Sequence, residues 1–246
     1  MRILICGNGE RDRCLAALCL EHGHSTPDHG PWDMAVLPLP RSYLSEETAD
    51  QLPRGQKIVC GTTDAAFDKL AEKRGWKLLR VLTDEAYTQE NAKLTAEGAL
   101  FTAVARMNRA LRGAQCLVIG YGRIGKALTG LLHSLGAGVT VAARREESRK
   151  EAGKNSVSIS YMPHILSRMD VIFNTVPAPV LGEKELRHVK PQCVMIDLAS
   201  APYGIDMDAA EALGRKAFLE SGLPGRYCPL SAAEALLNYM EREGSE

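Results

Sequence analysis

Short apolar runs alternate along the chain with stretches patterned at helical spacing, which predicts parallel strands covered by helices on both faces. In the first part, residues 3–6, 34–37, 57–60 and 77–82 read as strands, and 11–20 and 63–74 as helices. Pro27, Pro31, Pro38, Pro40 and Pro53 punctuate the loops between them. The longest helical pattern covers residues 91–111, where Ala96, Ala99, Leu100, Ala103, Val104, Met107 and Leu111 form one apolar face. Gly113 supplies its stop. A second set of strands is predicted at 115–119, 139–142, 170–175 and 193–198, with weaker ones at 156–159 and 216–219. A last helix is predicted from the capping box Ser231-Ala232-Ala233-Glu234, with Leu236, Leu237 and Met240 behind it.

This order of elements predicts an α/β protein: a Rossmann doubly wound parallel sheet preceded by a smaller N-terminal α/β domain of flavodoxin-like type. The expected boundaries are 1–90 for the small domain, 91–112 for a connecting helix, 113–230 for the Rossmann domain and 231–246 for the C-terminal helix. A length of 246 residues suffices for two modest cores. Thirty basic and thirty acidic residues cancel, leaving no net field to hold nucleic acid. No apolar run is long enough to span a bilayer, and the N-terminus enters a strand without a signal-like segment, so a cytoplasmic protein is expected. The seven cysteines form no C-x-x-C pair and no His/Cys cluster. They read as core thiols in a reducing compartment, with no metal site, and Cys228, which follows a loop, fits that reading least well.

The chemistry concentrates at Gly120-Tyr121-Gly122-Arg123-Ile124-Gly125. A lone G-x-G-x-x-G says little, but here an apolar strand precedes it, a helical pattern follows, and a second strand starts at Val139. Gly120 permits the tight turn, Gly122 the approach of a pyrophosphate, and Gly125 the packing of helix on strand. The phosphates then face the free N–H groups at the helix start. An NAD-preferring site ends its second strand on Asp or Glu, to bind the ribose 2′-hydroxyl. This chain has Ala143 there, followed by Arg144 and Arg145, which suits the 2′-phosphate of NADP. The same two arginines would equally solvate a loop. Thr175-Val176-Pro177 and the 199–204 segment follow the next strands and would face the nicotinamide half, unless they are plain turns.

From Gly113 to Ser200 the chain resembles the cofactor domain of the D-isomer-specific 2-hydroxyacid dehydrogenases. Those enzymes bind their substrate with an arginine where this chain has Ser200, and use a late catalytic histidine. All six histidines here (His22, His24, His29, His133, His164 and His188) precede the last core strand, which argues against that chemistry. A broader resemblance rests on Asn91-Ala92-Lys93-Leu94-Thr95-Ala96-Glu97-Gly98, Asn174-Thr175-Val176-Pro177-Ala178-Pro179-Val180-Leu181, Ile196-Asp197-Leu198-Ala199-Ser200 and Gly222-Leu223-Pro224-Gly225. Together these segments resemble the A-component family of dipicolinate synthase. The resemblance implies oxidation of a dihydrodipicolinate-type intermediate to dipicolinate for spore formation, with NADP (or NAD) and a flavoprotein partner, the B-component of the synthase. A dicarboxylate substrate and a homo-oligomer are expected with it.

Aromatisation drives such a hydride loss, so the site needs positioning more than a strong base. The catalytic candidates are Thr95, Glu97 and Ser200, and the substrate-binding candidates form a loop of Gly222, Leu223, Pro224, Gly225 and Arg226. Thr95 and Glu97 would share a face only if the helix began at Thr95 with its hydroxyl as N-cap. The family's Pro-Gly-Gly reads Pro202-Tyr203-Gly204 here, and its late Ala-Pro-Lys-Thr-Ala-Gly reads Cys228-Pro229-Leu230-Ser231-Ala232-Ala233, departures that bear on substrate handling. Two other readings stay open: an NAD(P)-binding protein with a sensory or scaffolding role, and a divergent 2-hydroxyacid-dehydrogenase-like enzyme.

Overall fold

The structure is a computed structural model that describes residues 1–244. Its elements are β1 (Ile3–Ile5), α1 (Glu10–Glu21), β2 (Met34–Val36), α2 (Glu46–Gln51), β3 (Lys57–Cys60), α3 (Ala65–Arg74), β4 (Lys77–Arg80) and α4 (Glu85–Arg106). There follow β5 (Gln115–Ile119), α5 (Arg123–Ser134), β6 (Gly138–Ala142), α6 (Glu146–Ala152), β7 (Ser156–Val157) and β8 (Val171–Asn174). The chain ends with α7 (Glu183–Leu186), β9 (Val194–Asp197), α8 (Met207–Ala212), β10 (Lys216–Leu219), α9 (Leu223–Tyr227) and α10 (Pro229–Gly244). Two compact units result: Met1–Leu94 with Pro224–Glu246, and Thr95–Leu223.

In the first unit β1, β2, β3 and β4 lie in that order, all parallel. On the open side of β1, Ser25 forms a single parallel bridge to Arg2, its N–H donating to Met1 O at 2.9 Å. Counting that bridge as a vestigial second strand gives the order 2-1-3-4-5, which is the flavodoxin-like order. Alternating side chains serve opposite faces. Ile3, Met34, Val36, Val59 and Leu79 pack with Leu15 and Cys19 of α1 and with Leu236, Leu237 and Met240 of α10. Ala35, Leu37, Ile58 and Cys60 pack with Ala49, Leu52, Phe67, Ala71 and Trp76. Each large side chain so buried contributes about 1.5–3 kcal/mol.

The second unit is a six-stranded parallel sheet in the order β10-β9-β8-β5-β6-β7. Numbered within the unit this is 6-5-4-1-2-3, the Rossmann order. Leu117, Ile119, Ile172 and Met195 point into a core closed by Leu166, Leu186 and Ile205. Two helices have boundaries that differ from expectation. The long helix begins at Glu85, where the Asp84 carboxylate accepts from Tyr87 N at 2.7 Å, and ends at Arg106 rather than at 111. Its first two turns bury Tyr87 alone, too little of an apolar stripe by which to be read. The last helix starts at Pro229, two residues before the expected capping box at Ser231. Proline fits a first helical position because its φ is preset and its missing N–H would have no helical partner.

The thiols of Cys116 and Cys193, fully buried, are pushed up to about 12 by that burial. Among the described residues no group of His, Cys, Asp and Glu could hold a metal ion. No described helix is long and apolar enough to cross a membrane.

Candidate active site

The glycine-rich turn joins β5 to α5 at the point where the sheet's strand order reverses, between β5 and β8. Ligands of open α/β sheets bind in that crevice, beyond the carboxyl ends of the strands. Gly120 has φ +96° and donates its N–H to Ala142 O at 2.8 Å. A Cβ there would strike the Thr175 hydroxyl and come within 2.9 Å of Val176 Cγ2. A Cβ on buried Gly125 would run into the Gly120 carbonyl. Gly122 is the N-cap of α5, and its Cβ would meet no protein atom within 4 Å. Gly120 and Gly125 thus serve packing, while Gly122 leaves open space in front of the helix. No side chain caps α5 at Gly122, and the N–H groups of Ile124 and Gly125 at its start suit an anion. The turn therefore fits a dinucleotide pyrophosphate. Tyr121 is half-buried, with the Lys126 ammonium 5.7 Å from its ring centre, and Arg123 is exposed.

At the end of β6, buried Ala143 donates its N–H to Val157 O at 3.1 Å. Arg144 and Arg145 are exposed, and among the described residues neither pairs with a carboxylate. Glu146, the nearest acid in sequence, is engaged by Lys150 at 2.8 Å. Arg149 lies one turn into α6, and its Nη1 donates to the carbonyls of Ala143 (2.9 Å) and Arg144 (2.6 Å). Reading the strand end alone misses Arg149, whose only sequence signal is its place in the first two turns of the following helix.

Thr175 lies just past β8, and its hydroxyl donates to Ile119 O at 2.9 Å, fastening β8 to β5 beneath the turn. Val176 is half-buried and Pro177 exposed. Two residues from the same segments escape the sequence reading. Asn174 and Asp197 are register partners at the ends of β8 and β9, both fully buried. Asp197 Oδ1 accepts from Asn174 Nδ2 at 2.7 Å and Ala199 N at 3.1 Å, and Oδ2 from Gly204 N at 2.7 Å and Ile205 N at 2.9 Å. Asn174 also holds Val176 by both its N–H and its carbonyl. One buried carboxylate and one amide thus set the shape of both strand-end loops. A polar pair closing two strands otherwise apolar, Val171–Asn174 and Val194–Asp197, is the signal that marks them.

Ser200 is exposed in the second of these loops, and its carbonyl accepts from Tyr203 N at 3.0 Å. Tyr203 has φ +64°, left-handed backbone in a residue with a bulky side chain. Gly204 beside it is pressed on Asn174, so no Cβ fits there. Thr95 and Glu97 lie well inside α4, which starts ten residues before Thr95, so the N-cap reading of Thr95 is corrected. Thr95 is buried and Glu97 exposed, as residues about 200° apart around a helix can be. The expected loop at 222–226 is largely helical: Gly222 turns with φ +64°, and Leu223–Tyr227 forms α9. Leu223 and Pro224 are buried, Gly225 is half-buried, and exposed Arg226 donates to the Tyr227 hydroxyl at 3.3 Å.

The sequence pattern of the family described as D-isomer specific 2-hydroxyacid dehydrogenase, NAD binding domain, matches residues 79–219. The A-component of dipicolinate synthase from Bacillus subtilis is 29% identical over 202 residues, covering 81% of this chain and 68% of that protein. The crystal structure of the dipicolinate synthase A-component from Bacillus halodurans is similar over 100% of this chain and 98% of that one, with 25% identity and a TM-score of 0.88. The crystal structure of the Bacillus subtilis A-component has the same fold, with 24% identity, 98% and 95% coverage and a TM-score of 0.84.

Proposed function

We infer the function from membership: this chain belongs to the D-isomer specific 2-hydroxyacid dehydrogenase NAD-binding domain family. Its second unit is an NAD-binding domain, and the reading built on it is an oxidoreductase of the dipicolinate synthase A-component kind. The chain would oxidise a dihydrodipicolinate-type dicarboxylate to dipicolinate, with NADP(H) preferred to NAD(H), in the cytoplasm of a spore-forming cell. The observation that carries the cofactor choice is the loop after β6, with Ala143 in place of an acid and two guanidinium groups unpaired with any described carboxylate. Full-length likeness to the Bacillus halodurans A-component supports the reaction.

When bound, NADP⁺ supplies the hydride acceptor, and the dihydropyridine, giving up one hydride and one proton, becomes the aromatic pyridine dicarboxylate. The protein's part is to position and to exclude water. Gly122 and the uncapped start of α5 seat the pyrophosphate, Arg144 and Arg145 take the 2′-phosphate, and Arg149 holds the carbonyls that orient them. The Thr175 hydroxyl is committed to the sheet, which leaves Ser200 and Glu97 as the polar groups for the substrate side. A hydroxyacid dehydrogenase reaction is disfavoured by where the histidines of this unit stand. His133, His164 and His188 all lie in segments that return the chain to the amino edge of the sheet, away from the strand ends that carry the turn.

The same likeness points to the partner, the flavoprotein B-component of the synthase. The test is turnover of the dihydro-dicarboxylate by the purified chain, alone and with that flavoprotein, in NADP⁺ and in NAD⁺. Formation of dipicolinate with NADP⁺ ahead of NAD⁺ is expected. Tight NADPH binding with no turnover in either setting would leave a sensory or scaffolding protein instead.

A further inference from the structure

We propose that Arg11 is a carboxylate-binding residue of the first unit, the group that holds the dicarboxylate substrate there. This assignment rests on the dicarboxylate reading above, and its test is separate. Arg11 stands in the first turn of α1, directly after the loop that leaves β1. With the Ser25 bridge on one side of β1 and β2 on the other, the strand order of this unit reverses at β1 and β2. The loops leaving these two strands flank the crevice in which sheets of this type bind ligands. Arg11 spans them: its Nη2 donates to Leu39 O, in the loop after β2, at 2.9 Å.

The guanidinium is held in place and under-used. Its side chain is only 11% exposed, yet the Leu39 carbonyl is the one hydrogen-bond acceptor it has among the described residues, out of the five N–H donors of an arginine. Nε is closed off from solvent with no acceptor, 3.8 Å from Asp12 Oδ1, too far for a hydrogen bond. Asp12 accepts the Gly9 N–H through Oδ2 at 3.0 Å, while its Oδ1 stays within ion-pair range of Nε. Burying a donor without an acceptor is unfavourable, and the planar guanidinium suits a carboxylate at its remaining, terminal nitrogen. The remaining nitrogen, Nη1, lies 3.8 Å from where a Cβ of Gly225 would be. Gly225 belongs to the Gly-Leu-Pro-Gly segment expected from the sequence to bind substrate, and a side chain longer than a methyl there would crowd Nη1. Two parts of the sequence 214 positions apart thus converge on one cation, within a single unit.

The experiment is calorimetric titration of the full chain, saturated with NADP⁺, with pyridine-2,6-dicarboxylate, and in parallel with inorganic phosphate. Wild type is expected to bind the dicarboxylate. Arg11→Met, and Arg11→Lys, which keeps the charge but loses the fork, are each expected to weaken it about 10- to 100-fold. Gly225→Leu, which leaves Arg11 intact but fills the space beside Nη1, should cause a similar loss. Melting temperature and NADPH affinity, read on every variant, identify any that fails to fold. Folded Arg11 variants that bind the dicarboxylate within two-fold of wild type would overturn the assignment, as would phosphate binding as tight as the dicarboxylate. Binding that depends on Arg11 in a protein that does not oxidise the dihydro compound would keep the site and remove the reaction, so the two failures are distinct.

Discussion

In the proposed reading Ala143 and Arg144 carry the cofactor preference between them, and single substitutions separate their parts. Ala143→Asp places a carboxylate where the ribose hydroxyls of NADH would be bound and a 2′-phosphate repelled, so preference should move toward NADH. Arg144→Ala should weaken NADPH by about 1–3 kcal/mol, the size of a charge-assisted contact, and leave NADH nearly unchanged. Calorimetry with both dinucleotides checks this, and equal wild-type affinity for the two would defeat the preference altogether. At this scale the sequence is legible wherever one residue type has one physical use. The turn glycines are of that kind, since a positive φ or a forbidden Cβ excludes every other residue. Asn174 and Asp197 are not, because a polar residue ending a strand is equally at home in water. Only the structure shows them fully buried, with Asp197 accepting four hydrogen bonds. Arg149 is hidden for a related reason, since one side chain reaching back six residues leaves no periodic trace.

α4 shows how an element can be legible in its middle and obscure at its ends. Its buried Ala92, Ala96, Ala99 and Ala103 recur at helical spacing, while its start depends on the Asp84 cap and on Tyr87 alone in the core. Its start at Glu85, ten residues before Thr95, changes the functional argument, because Thr95 and Glu97 now lie on different sides of a regular helix. Their roles should therefore divide. Thr95, buried, is expected to act on stability, and Glu97, exposed, is the member of the pair to which a proton or positioning role can belong. Thr95→Val should shift the melting temperature and leave the kcat of the complete enzyme within a few-fold. Glu97→Gln should do the reverse, lowering kcat about ten-fold or more with an altered pH profile and unchanged melting. Full turnover by Glu97→Gln would remove that residue from the mechanism.

For the molecule as a whole, the alternation of strands and helices is enough to foresee two parallel sheets, since both faces of each must be covered. Strand order is not written in the pattern. The vestigial strand at Ser25 is one bridge long, too short for any periodicity, and the return of Pro224–Glu246 to the first unit depends on packing across more than 200 residues. The electrostatics of the molecule are likewise distributed: in each unit, carboxyl groups are held below their ordinary range by basic partners. Glu241 of the first unit is lowered by His24 and His22 against the opposing effect of burial. In the second, burial would raise Asp170, but the Lys190 hydrogen bond at 2.6 Å, the Gln115 N–H at 2.8 Å and the charges of Lys190 and Arg109 prevail and lower it. Asp170 precedes β8 and ties it to the start of β5 and, through Lys190, to the turn before β9, so its ionisation bears on the sheet that carries the glycine-rich turn. A carboxyl whose folded pKa lies below its unfolded value stabilises the fold fully above the unfolded value, about 3.9 for aspartate. That stability is lost as pH falls through the folded value. Asp170→Asn should therefore lower stability at pH 7, by about 1–3 kcal/mol since Arg109 and Lys190 are partly exposed. The gap in melting temperature between wild type and variant should hold down to about pH 5 and close below about pH 4. Thermal melts from neutral to strongly acidic pH would decide it, and a gap that stayed constant to the acid end would mean that Asp170 contributes by hydrogen bonding alone and not through its charge.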